Sequence, residues 1–180
     1  TTQYRAGVSF VVYDAFGKGS DRAAATKAFK AKVESWVSML DGYGSDYDKA
    51  KAAHDIVCAN TTYNYGVLDA TGAVDAFAEQ EALTQSAYSA LCMGSTVCAG
   101  YAQAYEMLCN GAGVDAAVVT SANHEWNKVR MNDSWYNVDC TWDDQESACY
   151  DFFARSDYAY DNVLTNAGSH VEESRWDTYM

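Results

Sequence analysis

The stretch HEWNKVRMNDSWYNVDC, His124 to Cys140, alternates side chains on both sides of a short polar break. Asn132 and Asp133 tolerate positive φ, so they suit the two-residue turn of a β-hairpin. Met131 then faces Ser134, and Asp139 faces Trp126. His124 becomes the diagonal neighbour of Asp139 on the same sheet face. Such neighbours lie ~7–8 Å apart at the backbone, within reach of an imidazole and a carboxylate. A slip of one residue would send the two to opposite faces. One face carries Val129, Met131, Tyr136 and Val138 and suits a core. The other, with Lys128, Arg130 and Asn137, is polar, as expected beside a functional site.

Working outward, VDAAVVT (Val114 to Thr120) reads as a preceding strand and YDFFAR (Tyr150 to Arg155) as a following one. Upstream the period changes to that of a helix. Val97, Tyr101, Ala104, Tyr105 and Leu108 share one helical face, which Gly111 and Gly113 terminate. Further helices are expected over Ala78–Leu91, from a Ser45 or Asp46 cap to Asn60 with Ala53, Ile56 and Val57 inward, and over Ser20–Leu40. In the last of these Ser20 is the cap, and Phe29, Val33, Trp36, Val37 and Leu40 recur at helical spacing. Asn64–Phe77 is loop-like, and Val8–Tyr13 reads as a strand. Helices first and an antiparallel sheet second define one α+β domain over residues 1–180.

The 180 residues are 49% hydrophobic and 14% aromatic, enough for a real core. The net charge of -13 argues against nucleic acid and anionic membrane as partners, since both require basic patches. No apolar run is long enough to span a bilayer. The chain begins at Thr1, so any signal or anchor would precede it. The six cysteines are an even number, which suits an oxidising compartment. They form no C-x-x-C pair, so no structural zinc site is expected. There is no proline.

Cys98 stands in the first turn of a predicted helix, where partial positive charge and unpaired N–H groups favour a thiolate. Gly94, Ala99 and Gly100 around it are small and would let a substrate backbone approach. A nucleophilic thiol needs a base, and the base needs an orienting group. The His124–Asp139 pair can supply both. On pattern alone Cys98 remains open between a nucleophile, half of a disulfide and a buried thiol.

Several motifs occur in order: Ala87, Leu91, Gly94, Val97-Cys98 and Gly100-Tyr101-Ala102; then His124, Trp126-Asn127 and Val129; then Trp135-Tyr136, Val138-Asp139 and Thr141-Trp142-Asp143-Asp144. Together they resemble the core of the transglutaminase-like superfamily, above all its bacterial members, over about residues 53–155. The turn lacks the usual glycine, and Cys92 and Cys140 replace aliphatic residues. The resemblance implies a papain-like fold and a triad of Cys98 as nucleophile, His124 as base then acid, and Asp139 as orienter. It implies attack on an amide or peptide carbonyl, a thioester, and resolution by water or an amine. An oxyanion hole would include the Cys98 backbone N–H and a side-chain donor from Asn60–Tyr65. Tyr63, Tyr65 and Trp126 are the substrate-binding candidates. Hydrolysis is preferred to isopeptide formation, and a catalytically silent binding or scaffold module of the cell envelope is the reading of another class.

No cofactor or metal is expected. The expected partner is a protein or peptide, a cell-wall peptide among them, and the expected state is a monomer, extracellular or in the cell envelope. His54 is expected on a polar helix face and His170 on the surface. Trp135 and Trp142 are expected in the core, and Asp143-Asp144 in a capping or solvated loop. Cys140–Cys149 and Cys58–Cys92 are candidate disulfides.

Overall fold

A computed structural model describes residues 14–69, 71–75, 81–147, 149–164 and 167–170. The expected strand Val8–Tyr13 lies outside them. A short helix α1 (Asp14–Gly17) leads into α2 (Gly19–Leu40), and α3 (Asp46–Asn60) follows. Ser45 caps α3 by accepting from Asp48 N at 3.1 Å. Strand β1 (Thr62–Tyr63) pairs in parallel with β2 (Ser95–Thr96). Between them stand a 3-10 turn (Tyr65–Val67), helix α4 (Glu81–Thr84) and a π-helical turn (Ser89–Met93). Helix α5 (Cys98–Gly111) precedes an antiparallel sheet of β3 (Ala116–Thr120), β4 (Glu125–Met131) and β5 (Ser134–Val138), in that spatial order. Helices α6 (Cys140–Asp143) and α7 (Asp157–Asn162) and a 3-10 turn (Ala167–His170) complete the described chain.

Helix α5 is the hub. Its apolar face, with Tyr101, Ala104, Tyr105 and Leu108 at 1% exposure or less, packs on one side against Ala53 and Val57 of α3. On the other side it meets Val129, Met131 and Val138 of the sheet. Each large side chain buried this way contributes ~1.5–3 kcal/mol. Asn127 ties the sheet to the helix by donating Nδ2–H to Ala102 O at 3.0 Å. The hairpin has the expected register: Met131 opposes Ser134 and Asn127 opposes Val138. Asn132 and Asp133 adopt φ of 50° and 62°, both positive as a type I′ turn requires.

The opposite sheet face is largely buried, with Arg130 at its end exposed. Trp126, Phe152, Tyr160 and Val119 form a second apolar cluster there. Its polar groups are paired: Trp126 Nε1–H donates to Asn137 Oδ1 at 2.9 Å, and Lys128 Nζ lies 3.4 Å from Asp157 of α7. The segment Tyr150–Arg155 is not a fourth strand. It makes a single bridge, Asn137 to Arg155, and turns at Ala154 with φ 57°. The Phe152 amide is diverted to the Asp143 carboxylate at 3.0 Å, and the Phe152 carbonyl accepts from Asp139 N at 3.1 Å. The expected helix Ala78–Leu91 is interrupted at Gln85–Ser86, where Ser86 Oγ caps the following turn by accepting from Ser89 N. Residues 76–80 of that segment lie outside the described chain.

Candidate active site

Cys98 is the first residue of α5. Its N-cap is Val97, whose side chain cannot cap, and the first amides bonded within the helix are Gly100 and Tyr101, both to Val97 O. The Cys98 and Ala99 N–H groups stand ahead of them at the positive end of a 14-residue helix. Parallel pairing of β1 with β2 sets Tyr63 opposite Thr96 and so brings Tyr63 beside the helix start. Gly100 serves packing rather than substrate approach. A Cβ there would meet Thr96 Oγ1 at 1.9 Å and Ser86 O at 2.8 Å.

Cys98 and His124 line one cavity of about 280 Å³, together with Tyr63, Gln85 and Ser121. His124 Nε2 lies 2.6 Å from Asp139 Oδ2. An ionised carboxylate only accepts, so this contact puts a proton on Nε2 and leaves Nδ1 available to the thiol. Trp142 Nε1 stands 3.1 Å from the same Nε2 and shields that edge of the ring. Burial disfavours the imidazolium, but the Asp139 charge and hydrogen bond outweigh it, helped by Cys98, and hold His124 up at about 10.

Asp139 is buried at 1% exposure. Its Oδ1 accepts from Thr141 N at 2.9 Å and Trp142 N at 3.2 Å, which makes it the N-cap of α6. Its Oδ2 accepts from His124 and also from His170 Nε2, 2.8 Å away. Burial alone would raise its pKa; the two imidazoles oppose this and hold it at about 2. His170 is therefore not a surface residue. It is enclosed by Trp126, Phe152 and Tyr160 and braces the carboxylate from behind. Only its polar character in a buried aromatic nest identifies it; the sequence around it has no period that would place it there.

Of the substrate-binding candidates, Tyr63 and Tyr65 line a second cavity of about 310 Å³ with His124 and Trp142. Tyr65 is 75% exposed and forms the rim. Tyr63 is half-buried; desolvation first, and Cys98 nearby, push its phenol up to about 12. Trp126, 2% exposed, is a core residue beneath the sheet and not part of the cavity walls. Trp142 is the reverse: expected in the core, it lines the cleft, and Trp135 too is only half-buried. Asn64, in the segment expected to supply an oxyanion donor, uses its Oδ1 to accept from Gly66 N.

The remaining polar residues form a separate cluster behind α6. His54 is buried, not on a polar face, and its Nε2 lies 3.1 Å from Asp143 Oδ2. Asp144 accepts from the Tyr101 hydroxyl. Neither acid belongs to a solvated loop. All six cysteines are free thiols, so neither expected disulfide is present. Cys58 Sγ instead faces the Cys140 carbonyl at 3.5 Å. Among the described residues no helix is long and apolar enough to cross a membrane.

Residues 34–140 match the sequence pattern of the transglutaminase-like superfamily. No curated protein sequence matches the chain. Among solved structures, the fold is similar to that of a TGase, with TM-score 0.57 and 21% identity over 87% of this chain and 41% of that one. A proposed cysteine protease of Cytophaga hutchinsonii aligns with TM-score 0.44 and 17% identity over 65% of this chain and 37% of that one. The chain thus spans about two-fifths of the length of either structure.

Proposed function

Because the chain belongs to the transglutaminase-like superfamily, a superfamily of cysteine-dependent enzymes, we propose that it cleaves an amide or peptide bond through a thioester on Cys98, which water then resolves. The observation that carries this reading is the 2.6 Å His124–Asp139 contact in the wall of the cavity that also holds Cys98.

His124 takes the thiol proton, and Sγ attacks the substrate carbonyl carbon. The resulting oxyanion is met by the Cys98 N–H at the helix start. Tyr63 is the proposed side-chain donor, because it lines the cavity of Cys98 beside the start of α5 and a phenol keeps its proton at neutral pH. The tetrahedral adduct collapses, the C–N bond breaks, and the leaving amine takes the proton from His124. The histidine, neutral again, deprotonates a water that attacks the thioester. The acid leaves, and the proton on His124 returns to Sγ. Asp139 keeps its charge throughout and holds the ring. The two cavities share Tyr63 and His124 and extend to either side of them, which suits an extended peptide. The exposed rim at Tyr65 admits water and favours hydrolysis over transfer to an amine.

Turnover of peptide, isopeptide and cell-wall stem-peptide substrates, compared between the native chain and Cys98→Ala, tests the proposal. Turnover by the native chain, with an acyl-enzyme trapped on its Cys98, and loss of turnover in Cys98→Ala are the expected results. Equal turnover in the variant overturns the mechanism. Incorporation of a labelled primary amine into a glutamine donor faster than hydrolysis replaces the hydrolytic reading with transamidation.

A further inference from the structure

His54 and Cys58 stand four residues apart on one face of α3. Cys140 opens α6 and Asp143 closes it, three residues on. The two short faces meet behind the cleft. One donor atom from each of His54, Cys58 and Cys140 lies within 4.8 Å of the other two. His54 Nε2 is 3.8 Å from Cys58 Sγ and 3.1 Å from Asp143 Oδ2. In a tetrahedral zinc site, with Zn–S ~2.3 Å and Zn–N or Zn–O ~2.0–2.2 Å, neighbouring donors stand about 3.4–3.8 Å apart. The His54–Cys58 separation is what a single ion needs, and Asp143, which contacts His54 but stands outside the three-donor group, moves in to become the fourth ligand.

A buried His–Asp hydrogen bond accounts for only two of these groups. It leaves two unbridged thiols converging on the same histidine. The outer contacts also suit a metal. His54 Nδ1 lies 3.3 Å from Asp55 Oδ1, and Asp55 is held in turn by Lys51 Nζ at 2.7 Å. A carboxylate on Nδ1 orients Nε2 towards an ion, as it does in metal-binding histidines. A cavity of about 350 Å³, lined by His54, Cys58, Asp143, Cys149 and Tyr150, opens onto the cluster and gives an entry path. None of these residues has a part in the chemistry at Cys98.

We propose that His54, Cys58, Cys140 and Asp143 form a binding site for a tetrahedral divalent transition-metal ion, zinc foremost. The ion bonds to Nε2, to two sulfurs and to a carboxylate oxygen. Two thiol protons and the Nε2 proton of His54 leave to solvent, and Asp143 exchanges its contact with His54 for the metal while still accepting from Phe152 N. Two thiolates and an imidazole favour zinc or cobalt over calcium and magnesium, which take oxygen ligands. The bound ion joins α3 to α6, whose N-cap is Asp139.

Cobalt serves as the spectroscopic probe. The chelator-treated full chain is expected to take up one Co²⁺ with a thiolate-to-metal charge-transfer band and tetrahedral visible bands, which Zn²⁺ abolishes. Cys58→Ser and Cys140→Ser remove the charge-transfer band or reduce it, Asp55→Asn weakens binding about 10–100-fold, and Cys98→Ala leaves the spectrum unchanged. Absence of the band from the native chain overturns the proposal. So does its full persistence in both serine variants, or its loss in Cys98→Ala. Should a serine variant fail to fold, the native chain still decides: Zn²⁺ must slow alkylation of Cys58 and Cys140 in peptide maps, and equal rates with and without zinc overturn the site.

Discussion

Asp139 receives four donors on two oxygens, and they serve three purposes. The two amides start α6, His124 is aimed at the cleft, and His170 closes the rear. Asp139→Asn replaces an acceptor-only group with one whose NH₂ faces imidazole N–H, so the His124 ring loses its fixed tautomer. On the proposed mechanism kcat falls ~10²–10⁴-fold, measured on whichever substrate the native chain turns over. His124 also carries a stability signature. Its pKa rises from 6.5 in the unfolded chain to about 10 in the fold. The stabilisation is therefore complete below about pH 6.5 and disappears as the pH rises through about 10. Melting temperature should fall across that window, and His124→Gln should lessen the slope. It should not abolish it, because His54, also held at about 10 once burial is outweighed by Asp143, acts with the same sign. His124 and Asp139 were legible because strand parity couples them through a short turn. His170 was not: it lies 31 positions beyond Asp139, the described residues between them form no regular strand, and only packing brings it home.

The elements follow the same rule. The sequence places α2, α3 and the hairpin within a residue or two; Ser45 caps α3 as expected, but Ser20 does not cap α2, which starts one residue earlier behind Lys18 with no side-chain cap. Where side chains compete for the backbone, the reading fails. Ser86 divides one expected helix, and Asp143 captures the Phe152 amide that a fourth strand would have used. The meaning of Gly100 was also misjudged. Its missing Cβ lets α5 seat against β2 and the Ser86 carbonyl, so it fixes the height of Cys98 above the cleft floor. Gly100→Ala should cost ~1–3 kcal/mol by overpacking, read from chemical denaturation. Gly17→Ala, with open space around it, is the control and should leave stability nearly unchanged.

For the whole molecule, the two faces of the sheet are occupied by different layers: α5 on one, the α7 region with His170 on the other. The second face reads from the sequence as polar, as beside a functional site, and in the fold its Lys128 and Asn137 are buried against Asp157. Composition alone cannot tell a solvated polar face from one whose groups are paired by a later segment. The net charge of -13 acts on the whole chain as self-repulsion. Raising ionic strength from about 0.01 M to about 0.15 M shortens the screening length from ~30 Å to ~8 Å. The melting temperature should rise over that range, and a flat or falling response in a scanning calorimeter would contradict the argument.

The indole of Trp142, 3.1 Å from His124 Nε2 and open to the cleft, gives the protein an optical reporter. A protonated imidazole quenches an adjacent indole, and a ligand in the cleft changes the polarity around it. Trp126 lies in a closed core and should be insensitive to occupancy of the cleft. Steady-state emission, with Trp142→Phe as the blank, should therefore follow the charge of the histidine and the arrival of a ligand without any added dye.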